Sequence, residues 1–138
     1  MAITSAICTS FKQELLVGTH NFTATTRNTF KIALFTSSAT LGASITAFAT
    51  TNEITNSSGT AYTSGGATLT NITPTTDSTT AVCDFTDVSF TSASFTANGA
   101  LIYNSSASNK AVAVIAFGGD KTVSSGTFTI QFPAANAT

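Results

Sequence analysis

Apolar and polar positions alternate through most of this chain with a period of two, and the densest alternation lies between Thr80 and Gly118. In AVCDF, Ala81, Cys83 and Phe85 fall on one face, with Val82 and Asp84 on the other. GALIYN places Leu101 and Tyr103 opposite Ala100 and Ile102, and KAVAVIAFG is apolar on both faces, as a strand covered on both sides is. The cluster NSSASN (Asn104–Asn109) separates these last two runs as a turn. Short, β-branched, turn-bounded runs of this kind predict antiparallel strands.

Upstream, FKIALFT repeats the pattern: Phe30, Ile32 and Leu34 point inward, Lys31 outward, and Phe35 shares the face of Lys31. ATLTNIT predicts a short strand near an edge, Pro74–Thr79 a turn, and TFTIQF a closing strand with Phe128, Ile130 and Phe132 on one face, ended by Pro133. Gly118-Gly-Asp120 and Ser124-Ser-Gly126 predict further turns. Within DFTDVSF the aromatic face switches parity, which predicts a bulge or bend near Asp87. Ser44–Ile54 is ambiguous, because Ile45 and Phe48 stand at helical spacing in a Thr-rich segment.

One stretch departs from the period of two. Ser10 and Gln13 match a capping box, Phe11 and Leu15 stand at i, i+4, and Gly18 follows as a stop, so a helix of about two turns is predicted over Phe11–Val17. Such a helix is unstable alone and must dock its Phe11/Leu15 face on the sheet or on a neighbour, which makes Phe11 and Leu15 the candidate partner contact. The whole predicts a mainly β fold: an antiparallel β-sandwich or barrel-like domain of roughly seven to nine short strands with one short N-terminal helix. A single domain spans 1–138, with an N-terminal arm and helix over 1–29 and a β core over 30–138. The expected core comprises Phe30, Ile32, Leu34, Phe85, Leu101, Val112, Val114, Phe128 and Ile130.

Composition sharpens this picture. Charged residues make up only 8% of the chain while Ser and Thr supply about a third, so the surface is hydroxyl-rich and offers little repulsion between copies. Lys12, Arg27, Lys31, Lys110 and Lys121 are scattered, which argues against nucleic-acid binding. No run is long enough to span a bilayer as a helix, so no membrane partner is expected. The first residues lack a basic stretch followed by a long apolar one, so synthesis in the cytoplasm with Cys8 and Cys83 reduced is expected.

Candidate chemistry is sparse. His20 is the single histidine and stands outside any Cys/His cluster, so it reads as a surface or capping residue, and neither a metal site nor a catalytic triad is expected. Asp84 and Asp87 read as strand-edge charges, although a carboxylate pair could serve a glycosidase or a calcium site. Cys83 reads as a small core hydrophobe. No cofactor and no enzymatic activity are expected.

The phrases SFKQELLVGTHNF, FKIALFTSSATLGASITAF, NEITNSSGTAYTSGGATLTN, GALIYNSSASNKAVAVIAFGGDKT and GTFTIQFPAANAT cover nearly the whole chain. Together they resemble a group of small virion structural proteins encoded by tailed bacteriophages, especially aquatic ones. Relatives in that group usually continue a few residues past the position of Thr138. The resemblance carries no catalytic or ligand residues. It implies a capsid decoration (cement) protein, made in the host cytoplasm and located in the virion, that binds the outer surface of the major capsid protein lattice and reinforces it. The alternative is a tail, neck or fibre component with a receptor- or glycan-binding role, in which the loop Thr51–Gly66 and its aromatic Tyr62 would carry recognition. Low charge leaves sheet edges unprotected, so a homo-oligomer is expected, and three-fold junctions of an icosahedral lattice point to a trimer.

Overall fold

The computed structural model describes residues 2–25, 27–55 and 62–136. The fold is mainly β and antiparallel, with one short N-terminal helix. In chain order the elements are β1 (Ala6–Ile7), α1 (Thr9–Leu16), β2 (Phe30–Phe35), β3 (Ala67–Thr68), β4 (Asn71–Asp77), β5 (Thr80–Phe85), β6 (Val88–Asn104) and β7 (Lys110–Ile130). Five strands form one sheet in the order β1-β7-β6-β2-β3, and β4 and β5 pair only with each other. The described residues form no closed barrel.

β2 is the centre of the core. Its register against β6 runs from Phe30↔Asn104 to Phe35↔Gly99. Phe30, Ile32 and Leu34 are buried as the alternation predicts, and Ala33 and Phe35 on the opposite face are buried too. Both faces are therefore covered, and only Lys31 reaches the surface in part. Of the expected core, Phe85, Leu101, Val112 and Val114 are also buried, whereas Phe128 and Ile130 are half-buried.

β6 and β7 are far longer than the short strands expected, at 17 and 21 residues. The predicted turns at Gly118–Asp120 and Ser124–Gly126 are bulges inside β7. The register passes from Gly99↔Ala116 to Ala97↔Lys121, so two steps along β6 match five along β7 and Phe117–Asp120 are extruded. Gly118 and Gly119 take φ of 75° and 142° there, values that side chains disfavour. The ribbon bends at this point. A straight strand would hold Phe132 about 60 Å from Ala113, yet both line one groove with Val112. The distal ribbon thus folds back across the sheet and supplies a second layer, a corner of the kind bulges make in packed sheets.

Other turn expectations are corrected in the same way. Pro74 lies within β4, not in a turn, and the register shift between Ile72 and Thr75 accommodates its missing N–H. The reversal comes later, at Ser78 and Thr79. The parity switch near Asp87 marks a corner between strands of different sheets: β5 ends at Phe85 and β6 begins at Val88. Ser44–Ile54 holds no helix, only isolated bridges such as Ala47↔Lys110 and Phe35↔Glu53.

α1 begins two residues earlier than the capping box places it. Cys8 is the N-cap and makes no side-chain cap bond, and the Thr9 N–H donates to the Ala43 carbonyl at 2.8 Å. The Cys8 N–H donates to Val112 across the β1–β7 ladder. Tertiary partners thus take the N–H groups of Cys8 and Thr9 at the start of the helix. The helix stops at Gly18 as expected: Gly18 N–H donates to Leu15 and Thr19 N–H to Glu14, a Schellman pair.

Candidate partner surface

Phe11 and Leu15, the expected contact pair, part company in the fold. Phe11 is buried against Phe22 and His20, with ring centroids 5.9 and 4.8 Å away. Leu15 is 45% exposed and is continued by Leu16 and Val17, 88% and 67% exposed. The residue that shares the inner face with Phe11 is Glu14, three positions on. A half-open groove of about 350 Å³ lies beside the helix, with Ile7, Phe11, Leu15, Phe85, Ala113 and Phe132 among its walls. Phe132 also walls a second groove of about 580 Å³ with Ile115, Phe117, Phe128 and Ile130. The two grooves meet at Phe132, which walls both, and both are lined mainly by apolar side chains. Asp84 and Lys121 are their charged wall residues.

A buried polar network holds the helix in place. The reading of His20 as a surface residue is corrected: its side chain is fully enclosed, and Nε2 lies 2.8 Å from Glu14 Oε2. Asn104 Nδ2 lies 3.0 Å from His20 Nδ1 and donates to Asn28 Oδ1 at 3.1 Å. Asn104 Oδ1 accepts from the Ser106 N–H at 3.0 Å, so the side-chain amide cannot be turned round without losing this bond and the one to Asn28. Asn104 is therefore the donor at His20 Nδ1, and neutral His20 carries its proton on Nε2 and donates to Glu14. Lys110 Nζ approaches Glu14 Oε1 at 3.8 Å from the solvent side. The network joins α1, the Thr19–Thr29 loop, β6 and β7, so Leu15–Val17 are presented on a fixed mount. Sequence reasoning missed it because its members are far apart in the chain. The signal that could have found Glu14 is its i, i+3 relation to Phe11.

Other candidates are placed as follows. Cys83 is exposed, not core: its strand pairs only within a two-stranded hairpin, so the inward parity of AVCDF places Cys83 on the wall of the groove beside α1 and only Phe85 reaches the core. Cys8 is buried, and burial together with the Glu14 charge pushes its thiol pKa up, which leaves the thiol protonated and inert. Asp84 and Asp87 each bind a backbone amide, those of Phe85 and Phe132, both at 2.8 Å. Tyr62, the aromatic of the Thr51–Gly66 loop, is buried; it accepts from the Leu34 N–H at 2.9 Å and donates to Glu53 at 2.7 Å. Asn56–Ala61 of that loop lie outside the described residues. Among the described residues no three His, Cys, Asp or Glu side chains converge on a metal-sized site.

What the two grooves and the exposed end of α1 offer is apolar contact area with few charges. No protein-family model, curated protein or solved structure matches the chain.

Proposed function

We propose that this chain is a tailed-phage capsid decoration protein, binding the outside of the major capsid lattice as a homo-oligomer, with three copies around a local three-fold junction. The observation that carries the reading is the exposed Leu15-Leu16-Val17 ridge beside an apolar groove, fixed by the buried Glu14–His20–Asn104 network. Full burial of each such side chain contributes roughly 1.5–3 kcal/mol. A modest contact of that size suffices when several linked copies engage one lattice together. The phrase-level resemblance to phage virion proteins supports the setting. The glycan-binding alternative loses its aromatic, since Tyr62 is buried.

The test is an electron-microscopy map of the virion together with binding of recombinant chain to undecorated capsids. Density at capsid three-fold junctions, and binding lost on Leu15→Asp/Leu16→Asp, are the expected results. A few copies confined to the tail would overturn the reading.

A further inference from the structure

Both nitrogens of the His20 ring are committed when the ring is neutral. Nε2 donates to Glu14 Oε2 at 2.8 Å, and Nδ1 accepts from Asn104 Nδ2 at 3.0 Å. The other Asn104 side-chain N–H donates to Asn28 Oδ1 at 3.1 Å, an oxygen that also accepts from the Asn21 N–H at 2.8 Å. Asn104 Oδ1 accepts from the Ser106 N–H at 3.0 Å. The ring is enclosed, with the aromatic side chains of Phe11, Phe22 and Phe30 around it.

A second proton has no acceptor in this arrangement. It would sit on Nδ1 and face an N–H of Asn104, donor against donor. Turning the amide moves the conflict without removing it: Nδ2 would then face the Ser106 N–H, and Oδ1 would face Asn28 Oδ1. The two ends of the ring thus pull in opposite directions. The Glu14 carboxylate on α1 favours the imidazolium, while enclosure and Asn104 on β6 oppose it. Lys110 on β7, 3.8 Å from the other Glu14 oxygen, and the Cys8 thiol, which the Glu14 charge reaches, are the other titratable groups at this carboxylate among the described residues. A protonated ring therefore stays with Glu14 and parts from Asn104. Glu14 and His20 belong to the helix end and the loop after it, whereas Asn104 belongs to the sheet. The start of the helix is held separately, by the Cys8 and Thr9 N–H groups on Val112 and Ala43.

We infer that the His20–Asn104 contact is an acid-sensitive latch: a second proton on His20 opens it, and the Leu15–Val17 end of α1 loosens with the loop behind it while the sheet and the start of the helix stay in place. In the open state Nδ1 faces water and takes a proton without conflict, so protons bind the open state better and lowering the pH favours it. Imidazoles change charge between about pH 5 and 8, and the latch works in that range. Its effect on binding rests on the proposed role of the ridge, whereas the latch itself does not.

His20 is the single histidine, so its ring signals in a nuclear magnetic resonance spectrum of the full chain are unambiguous. Ring and backbone amides are followed together from about pH 8 to about pH 5. The ring is expected to take its proton within the intact fold. Over the same range the amides of Gly18, Thr19, Asn21 and Asn28, whose bonds close the helix end and the loop, are expected to exchange roughly tenfold faster or more, after correction for the intrinsic pH dependence of exchange. The amides of Cys8, Thr9 and Leu34 are expected to keep their protection. His20→Gln, which keeps a donor and an acceptor and does not titrate, is expected to lose the response, and should that variant fail to fold the unaltered chain decides alone. The inference is overturned by a ring that stays neutral down to about pH 5, by protonation that leaves the four amides as protected as before, by loosening spread over the sheet, or by a response that survives in His20→Gln. Binding to undecorated capsids is expected to weaken as the latch opens. Equal binding with the latch open would defeat the ridge as the contact and leave the latch standing. Binding that weakens while the four amides stay protected would defeat the latch alone.

Discussion

His20 donates from Nε2 to Glu14 Oε2 at 2.8 Å inside the molecule, and this one bond ties the N-terminal helix to the loop that leads into β2. Replacing His20 by Ala strands a carboxylate that is 8% exposed, with Lys110 left at 3.8 Å. Chemical denaturation is expected to show a loss of about 2–4 kcal/mol. Glu14→Gln, which can still accept from Nε2, is expected to lose less. A double-mutant cycle between the two positions measures the coupling directly, and a coupling near zero would show that the network does not hold the helix.

The two tyrosines report on alkaline stability. Burial raises the pKa of both phenols, that of Tyr103 to about 12 and that of Tyr62 further still, with Glu53 adding to each rise. A raised acid pKa means that the folded chain keeps its proton where the unfolded chain, titrating near 10, has lost it. This contribution is complete below about pH 10 and is lost as the pH rises through the folded values. Stability is therefore expected to fall above pH 10, with tyrosinate absorbance appearing at about pH 12 or together with unfolding. Ordinary phenol titration at pH 10 in the intact fold would contradict it.

Gly66 tests how tightly the Glu53 clamp closes. Glu53 accepts from Tyr62 Oη, Ser64 Oγ and the Gly65 N–H at 2.7, 2.8 and 2.6 Å, and Tyr103 Oη donates to the Gly65 carbonyl at 2.6 Å. The following Gly66 has φ of 80°, and a Cβ there would run into the Ile32 carbonyl and lie 2.8 Å from Ala33 Cα. Gly66→Ala is expected to destabilise the fold by roughly 2–4 kcal/mol. A thermal midpoint within a degree of the unaltered chain would show that β2 and the loop separate easily.

Stability and surface function are expected to divide cleanly between core and ridge. Phe30 is fully buried and stacks on Phe22 at 4.2 Å, so Phe30→Ala is expected to cost roughly 3–5 kcal/mol. Leu16 is 88% exposed, and Leu16→Asp is expected to change stability by about 0.5 kcal/mol or less. Urea unfolding of the two variants side by side checks the contrast. A large loss for Leu16→Asp would place that side chain in an internal contact.

Local alternation alone determined that the chain is mainly β, that α1 is the exception, and that Phe30, Ile32 and Leu34 are core, because side chains in a strand must alternate between faces whatever lies above them. The stop at Gly18 was legible for the same reason: a helix ends through bonds made within a few residues. What alternation could not decide is whether anything covers a given face. Cys83 and Phe85 share parity and wall one groove, yet the first is exposed and the second buried, because Phe85 alone of the two packs among the rings of Phe22, Phe30 and Phe132. Gly118-Gly119 reads in the sequence as a turn, and only the pairing of Ala116 with Gly99 and Lys121 with Ala97 across the ribbon makes it a bulge. His20 and Asn104 are 84 positions apart, so their contact and the tautomer it imposes exist only once β6 has paired with β2 and brought Asn104 opposite Phe30. Parity is a property of neighbours in the chain, whereas burial and buried polar contacts depend on neighbours in space, which tertiary pairing alone decides.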